Sequence, residues 1–170
     1  TISVYRKKLD SLMNRQIATS ELTMTIGNPE GTLGNFCSDI TYKSADDHLT
    51  DIGKDYQLDF ALLNNGGLRA PIDSGSVNVG DIFELMPFEN EVVILNLSGA
   101  KTAQLIEYVV ARTSLSGRKA GVPVSKHFNL EIDTLNNKFD CKINGIPFDS
   151  RRDYLVVTSD YLAKGGDDMK

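Results

Sequence analysis

Residues 91–113 read EVVILNL, then a serine, then GAKTAQLIEYVVART. An apolar run of strand length is joined to an amphipathic helical pattern by one residue. The run reads as a buried strand, because a strand covered on both faces need not alternate. Ser98 supplies the N-cap of the following helix, 99–113. Ala103, Ile106, Val109 and Val110 give that helix a single apolar stripe. A strand feeding straight into a helix is one step of an interleaved pattern of helices and strands.

The rest of the chain fits that frame. Residues 1–16 place Val4, Leu9, Leu12 and Met13 at near-helical spacing among basic residues, so they predict a helix. Residues 21–26 (ELTMTI) alternate and read as a short strand. GNPEGTLG at 27–34 is a loop by its Gly, Pro and Asn content. A helix is expected from about Leu33 to His48, with Phe36, Ile40 and Ala45 toward the core. QLDFALL (57–63) predicts a strand that ends in the loop NNGGLRAPIDSG. A short helix over 79–86 stops at Pro87. Beyond 121 the period changes to two. Phe128, Leu130 and Ile132 alternate with polar residues, as do Phe139, Cys141 and Ile143, with a hairpin turn expected at Asn136-Asn137 and a further turn at Asn144-Gly145. YLVVTS (154–159) is the last predicted strand. Helices and strands are interleaved, yet hairpins are present, so the fold class is α+β with a mixed sheet.

With 170 residues, 41% of them hydrophobic and 24% charged, the chain suits one globular domain. Its formal charge of −5 gives no general attraction to nucleic acid or anionic membrane. Any bound phosphate must be held by a local cation. No apolar run approaches the roughly 20 residues that span a bilayer, and the start TISVYRKKLD has no signal-peptide h-region. Cys37 and Cys141 match no zinc or redox spacing; they read as buried free thiols, with a disulfide as the alternative. His48 and His127 are far apart and lack ligand spacing. No nucleophile elbow, Cys/His pair or P-loop occurs. The sequence therefore offers a binding site without a catalytic or metal centre of its own.

Three loops could form that site. The first, Asn64-Asn65-Gly66-Gly67-Leu68-Arg69, follows a strand; its glycines permit close backbone approach, and Arg69 carries a fork suited to phosphate or carboxylate. The second, Pro87-Phe88-Glu89-Asn90, holds an aromatic in a rigid turn. The third, Tyr161-Leu162-Ala163-Lys164-Gly165-Gly166-Asp167, sets an aromatic, a glycine pair and a carboxylate beyond a strand. Each alone has a plain reading as a turn or a core anchor.

In this order and separation the three loops resemble the C-terminal domain of the 5′-nucleotidase family. The resemblance rests on LGNFCSD (33–39), LLNNGGLRAPIDSGSVNVGDIFELMPFENEVVILNLSG (62–99) and DYLAKGGDD (160–168). It implies a division of 1–26 as linker helix and first strand and 27–170 as the C-terminal domain, which in the family continues past Lys170. It also implies two divalent metal ions and the catalytic residues in a separate N-terminal metallophosphoesterase domain. The C-terminal domain then grips a nucleoside or nucleoside monophosphate. Phe88 and Tyr161 match the aromatics that stack on the base, Asp167 the carboxylate for the ribose hydroxyls, Asn64 a base contact, and Arg69 an arginine near ribose and phosphate; Gly66 and Gly67 match the loop glycines. A periplasmic, extracellular or surface-anchored location is implied too. The competing readings are a stand-alone nucleoside-binding module and a non-catalytic interaction domain.

Three positions depart from the family pattern. Asn65 replaces a glycine, Pro29 stands where an arginine is common, and Asp168 follows Asp167 where glycine is usual. The loss of a cation and gain of an anion predict a preference for nucleoside or monophosphate over diphosphate.

Overall fold

The computed structural model describes residues 2–117, 120–133, 135–136 and 138–169, with side chains from Tyr5 onward. Its centre is a three-stranded sheet in the order β2 (Phe60–Ala61), β8 (Tyr154–Ser159), β4 (Val92–Leu97). β2 runs parallel to β8 and β4 antiparallel to it, so the sheet is mixed, as the interleaved pattern predicts. Period-two alternation divides the side chains between two faces. Phe60, Leu62 and Val156 pack with Ile106 and Val109 of α4 (Gly99–Thr113). Ala61 and Val157 pack on the other face with Ala45 and Leu49 of α2 (Thr32–Asp51).

A second sheet joins β5 (Phe128–Asp133), β6 (Lys138–Ile143) and β7 (Ile146–Pro147) in antiparallel order. Phe128 and Ile143 pair across it and fill the core beside Phe60. Asn144 and Gly145 both have positive φ, +54° and +75°, the conformation that a tight two-residue hairpin turn needs. At the other hairpin, Asp133 Oδ1 accepts from the backbone N–H of Leu135 at 3.0 Å and of Asn136 at 3.1 Å. Asn137 lies outside the described residues. A third, two-stranded sheet pairs β1 (Gln16–Ser20) with β3 (Gly75–Asn78). β3 leads into α3 (Val79–Leu85), and β8 into α5 (Asp160–Ala163). Among the described residues no helix is long and apolar enough to cross a membrane.

Five expectations are corrected. The strand expected at 21–26 lies at 16–20, and only Met24 of the expected segment bridges, to Ile72. On α2 the buried stripe is Leu33, Cys37, Ala45 and Leu49, whereas Phe36 and Ile40 are 43% and 48% exposed. The helix also runs on to Asp51. Its inward face is set by the sheet it covers, not by which positions are largest. β4 is an outer strand, alternately exposed and half-buried, because among the described residues it pairs only with β8; the strand with the buried faces is β8. Finally, the strand expected at 57–63 narrows to Phe60–Ala61. In α1 (Ile2–Met13), Leu9 and Leu12 are exposed, and the side chain of Val4 falls outside the described residues.

Cys37 and Cys141 are both buried and unpaired. Burial pushes each thiol up to about 11, with Asp140 adding to the effect at Cys141. Only the thiolate alkylates, so at pH 8 the native chain should react with iodoacetamide about 100-fold more slowly than ordinary cysteine. Two thiols should become fast on unfolding in guanidinium. Rapid labelling of the native protein, read by mass spectrometry, would contradict this packing.

Candidate functional site

The three loops singled out from the sequence meet at the end of the central sheet. They enclose a cleft of about 330 Å³, lined by Asn64, Gly66, Gly67, Arg69, Phe88, Asn90, Tyr161 and Asp167. All the predicted site residues are thereby brought to one place. Asn90 is the lining residue that the sequence reading passes over; its signal is its position two residues past Phe88 in PFEN, on the same short turn.

The first loop turns through a single 3₁₀ turn at Asn65–Gly67, closed by the Gly67 N–H to the Asn64 carbonyl at 3.0 Å. Asn64 does more than line the wall. Its Nδ2 donates to Asp167 Oδ2 at 2.7 Å, which ties the first loop to the third. A Cβ on Gly66 would stand 3.0 Å from that same Nδ2, so glycine keeps the bridge unobstructed. Asn65 faces inward and is buried, donating from Nδ2 to the carbonyls of Gly27 at 3.0 Å and Ala120 at 2.6 Å. It has no positive φ; its amide, and not its tolerance of a left-handed backbone, is what this position uses. Arg69 donates to the Gly66 carbonyl at 3.2 Å and lies over the Phe88 ring, with Cζ 5.6 Å from the centroid, within cation–π range.

Phe88 and Tyr161 are 48% and 46% exposed, and both line the cleft. Their loops are clamped together. The Asp160 N–H donates to the Glu91 carbonyl at 2.9 Å, and the Glu91 N–H donates to Asp160 Oδ1 at 3.0 Å. Lys164 closes on Asp160 Oδ2 at 2.6 Å. The Tyr161 ring rests against Gly166: a Cβ there would stand only 2.4 Å from Cε1 and 2.5 Å from Cζ. The Tyr161 hydroxyl accepts from the Asp167 N–H at 3.3 Å, so a ring that lines the cleft also pins the residue bearing the carboxylate.

Arg69 is the only cation and Asp167 the only carboxylate among the lining residues. Asp168 does not line the cleft. It points to the opposite side of the turn, 4.0 Å from the Arg112 guanidinium. His127 sits far from the loops in sequence and stacks on Tyr42 with centroids 3.9 Å apart; burial, with Lys126 beside it, lowers its pKa. The described residues contain no group of three or more His, Cys, Asp or Glu side chains able to hold a metal ion.

A family model described as 5′-nucleotidase, C-terminal domain, matches residues 16–170. The chain belongs to that family. Over 110 residues this 5′-nucleotidase C-terminal domain is 29% identical to Protein UshA of Escherichia coli (strain K12), covering 64% of the chain and 19% of that protein. It is 24% identical over 178 residues to the trifunctional nucleotide phosphoesterase protein YfkN of Bacillus subtilis (strain 168), covering 96% of the chain and 12% of the relative. Among solved structures it shares its fold with a 5′-nucleotidase precursor from Thermus thermophilus. That match has a TM-score of 0.75 at 24% identity, over 99% of this chain and 34% of the other. The chain thus spans about a third or less of each of these proteins, and it corresponds to the C-terminal domain of larger relatives.

Proposed function

We propose that this domain binds the nucleoside part of a nucleotide and presents it to a metallophosphoesterase domain that removes the phosphate. The observation that carries the reading is the pair of half-exposed rings, Phe88 and Tyr161, lining one cleft on two clamped loops. Two aromatic rings lining one cleft suit a flat heterocycle, since every base has a π-face. The volume lies at the small end of the usual ligand-pocket range of about 300–1,000 Å³. Asp167 accepts the ribose hydroxyls, Asn64 and Asn90 offer carboxamides to the base edge or sugar, and Gly66 and Gly67 let the ligand approach the backbone. Arg69 faces the ribose and the first phosphate, where its fork can engage two oxygens.

The catalytic partner, with two divalent metal ions, completes a phosphohydrolase that turns a nucleoside monophosphate into nucleoside and phosphate. The match to relatives named as nucleotide phosphoesterase and 5′-nucleotidase supports this assignment. The linker division at residues 1–26 and a periplasmic, extracellular or surface-anchored location belong to the same proposal. A single lining cation favours nucleoside or monophosphate over diphosphate.

Calorimetric titration of the chain with adenosine, uridine and their mono- and diphosphates tests the reading. Phe88→Ala and Tyr161→Ala should each weaken binding by about 1–3 kcal/mol. Tightest binding by a diphosphate would remove the phosphate preference. Indifference of binding to both ring deletions would remove the nucleoside assignment itself.

A further inference from the structure

Helix α4 contributes nothing to the wall of the cleft, yet two of its side chains reach the turn that carries Asp167. Tyr108 Oη donates to the Asp167 carbonyl at 2.8 Å, and the Arg112 guanidinium donates to the same oxygen. Residues four apart share a helix face, and here Arg112 lies over the Tyr108 ring with Cζ 4.7 Å from its centroid. The Arg112 side chain is only 7% exposed. A guanidinium so far out of water persists where its donors are paired, and among its partners is the Asp167–Asp168 turn.

That turn needs support. Asp167 and Asp168 both have positive φ, +53° and +66°, two successive non-glycine residues in the left-handed region. Asp167 is held at every polar group: its N–H by Tyr161, its carboxylate by Asn64, and its carbonyl by α4. Asn64 occupies Oδ2 and leaves Oδ1 for a ligand. Rotating the Asp167 peptide would break both α4 bonds and swing that oxygen away from the cleft.

We propose that Tyr108 and Arg112 are positioning residues that aim the Asp167 carboxylate at the vicinal hydroxyls of a ribose. They thereby set how strongly the domain distinguishes a ribonucleoside from a sugar lacking those hydroxyls. This rests on reading the cleft as a nucleoside site.

The test is a ratio. The tighter ligand of adenosine and uridine is titrated into the chain beside its 2′,3′-dideoxy analogue, and the ratio of dissociation constants is the readout. The wild-type chain should favour the ribonucleoside by about tenfold or more. Tyr108→Phe, which deletes one hydroxyl and keeps the ring, should shrink that ratio by about fivefold while leaving dideoxynucleoside affinity unchanged. In an Asp167→Ala background it should have no further effect on the ratio. Arg112→Lys, which keeps the charge and loses the planar fork, should move the ratio in the same direction and replaces Tyr108→Phe if that variant does not fold. An unchanged ratio, or an equal loss for both sugars, overturns the inference and leaves the nucleoside site standing. A wild-type chain that binds neither ligand removes both.

Discussion

An Arg152→Ala variant is expected to lose about 1–3 kcal/mol of folding stability, because it removes the charged partner of a buried carboxylate. Asp59 is buried beside β2, with its side chain only 6% exposed. One carboxylate oxygen is paired with the Arg152 guanidinium, and the other accepts from the Leu155 N–H at 2.8 Å. Arg152 in turn lies over the Tyr154 ring, with Cζ 4.5 Å from the centroid. Arg152 is itself half exposed, so its removal leaves Asp59 with one backbone donor and the water that enters the vacated space. An Asp59→Asn/Arg152→Ala double variant carries no buried charge and should recover much of the loss, so chemical denaturation of the two singles and the double isolates the pairing. Equal stability of the Arg152→Ala variant and the wild type would show that the carboxylate is not dependent on its partner.

Gly166→Ala should have the largest effect of any single methyl group on ligand binding. Its Cβ would stand 2.4–2.6 Å from three atoms of the Tyr161 ring. The ring must then swing away, which forfeits its base-stacking contribution of about 1–3 kcal/mol and the hydrogen bond between its hydroxyl and the Asp167 N–H. Nucleoside affinity should fall by about 10- to 100-fold. Tyr161 is half exposed, so the unfolding midpoint should move far less than in Arg152→Ala. In a Tyr161→Ala background the alanine at 166 has no ring to displace and should have little further effect. Loss of the same size in that background would place the role of Gly166 elsewhere.

The parts of this fold that the sequence makes legible are those set by neighbours along the chain. The step from β4 into α4 is visible because an apolar run abuts a capping serine, and Ser98 Oγ does accept from the Lys101 N–H, at 3.4 Å. The Asn144-Gly145 turn is visible for the same local reason. β3 is not, since GSVN has no pattern and becomes a strand only by pairing with residues some 58 positions earlier. The face of α2 is likewise chosen by a sheet whose strands lie far away in sequence.

The site divides in the same way. Phe88, Tyr161, Asp167 and the Asn-Gly-Gly loop can be named because each has a residue type suited to a ligand and a loop to hold it. What makes them one cleft cannot be named from spacing. The Asn64–Asp167 bridge joins positions 103 apart, and the Asp160–Glu91 clamp joins positions 69 apart. Nor can the contact of Gly166 with the Tyr161 ring be foreseen, since a glycine pair beyond a strand reads first as a turn. Asp168 shows the converse: an acidic residue next to the site in sequence is directed away from it by a left-handed backbone.

Among the described residues, the central strand of the main sheet comes after every other strand in sequence. β2 finds its partner in β8 only after some 96 further residues have been made, and β4 also waits for that strand. A ribosome-bound intermediate lacking residues 154–159 can form the β5–β6 hairpin but leaves the two flanking strands of the central sheet apart. Tyr161 emerges directly behind the strand that brings them together. Synthesis of this domain should therefore pass through a late, abrupt consolidation, in which the sheet and the ability to hold a ligand arise within a few residues of each other.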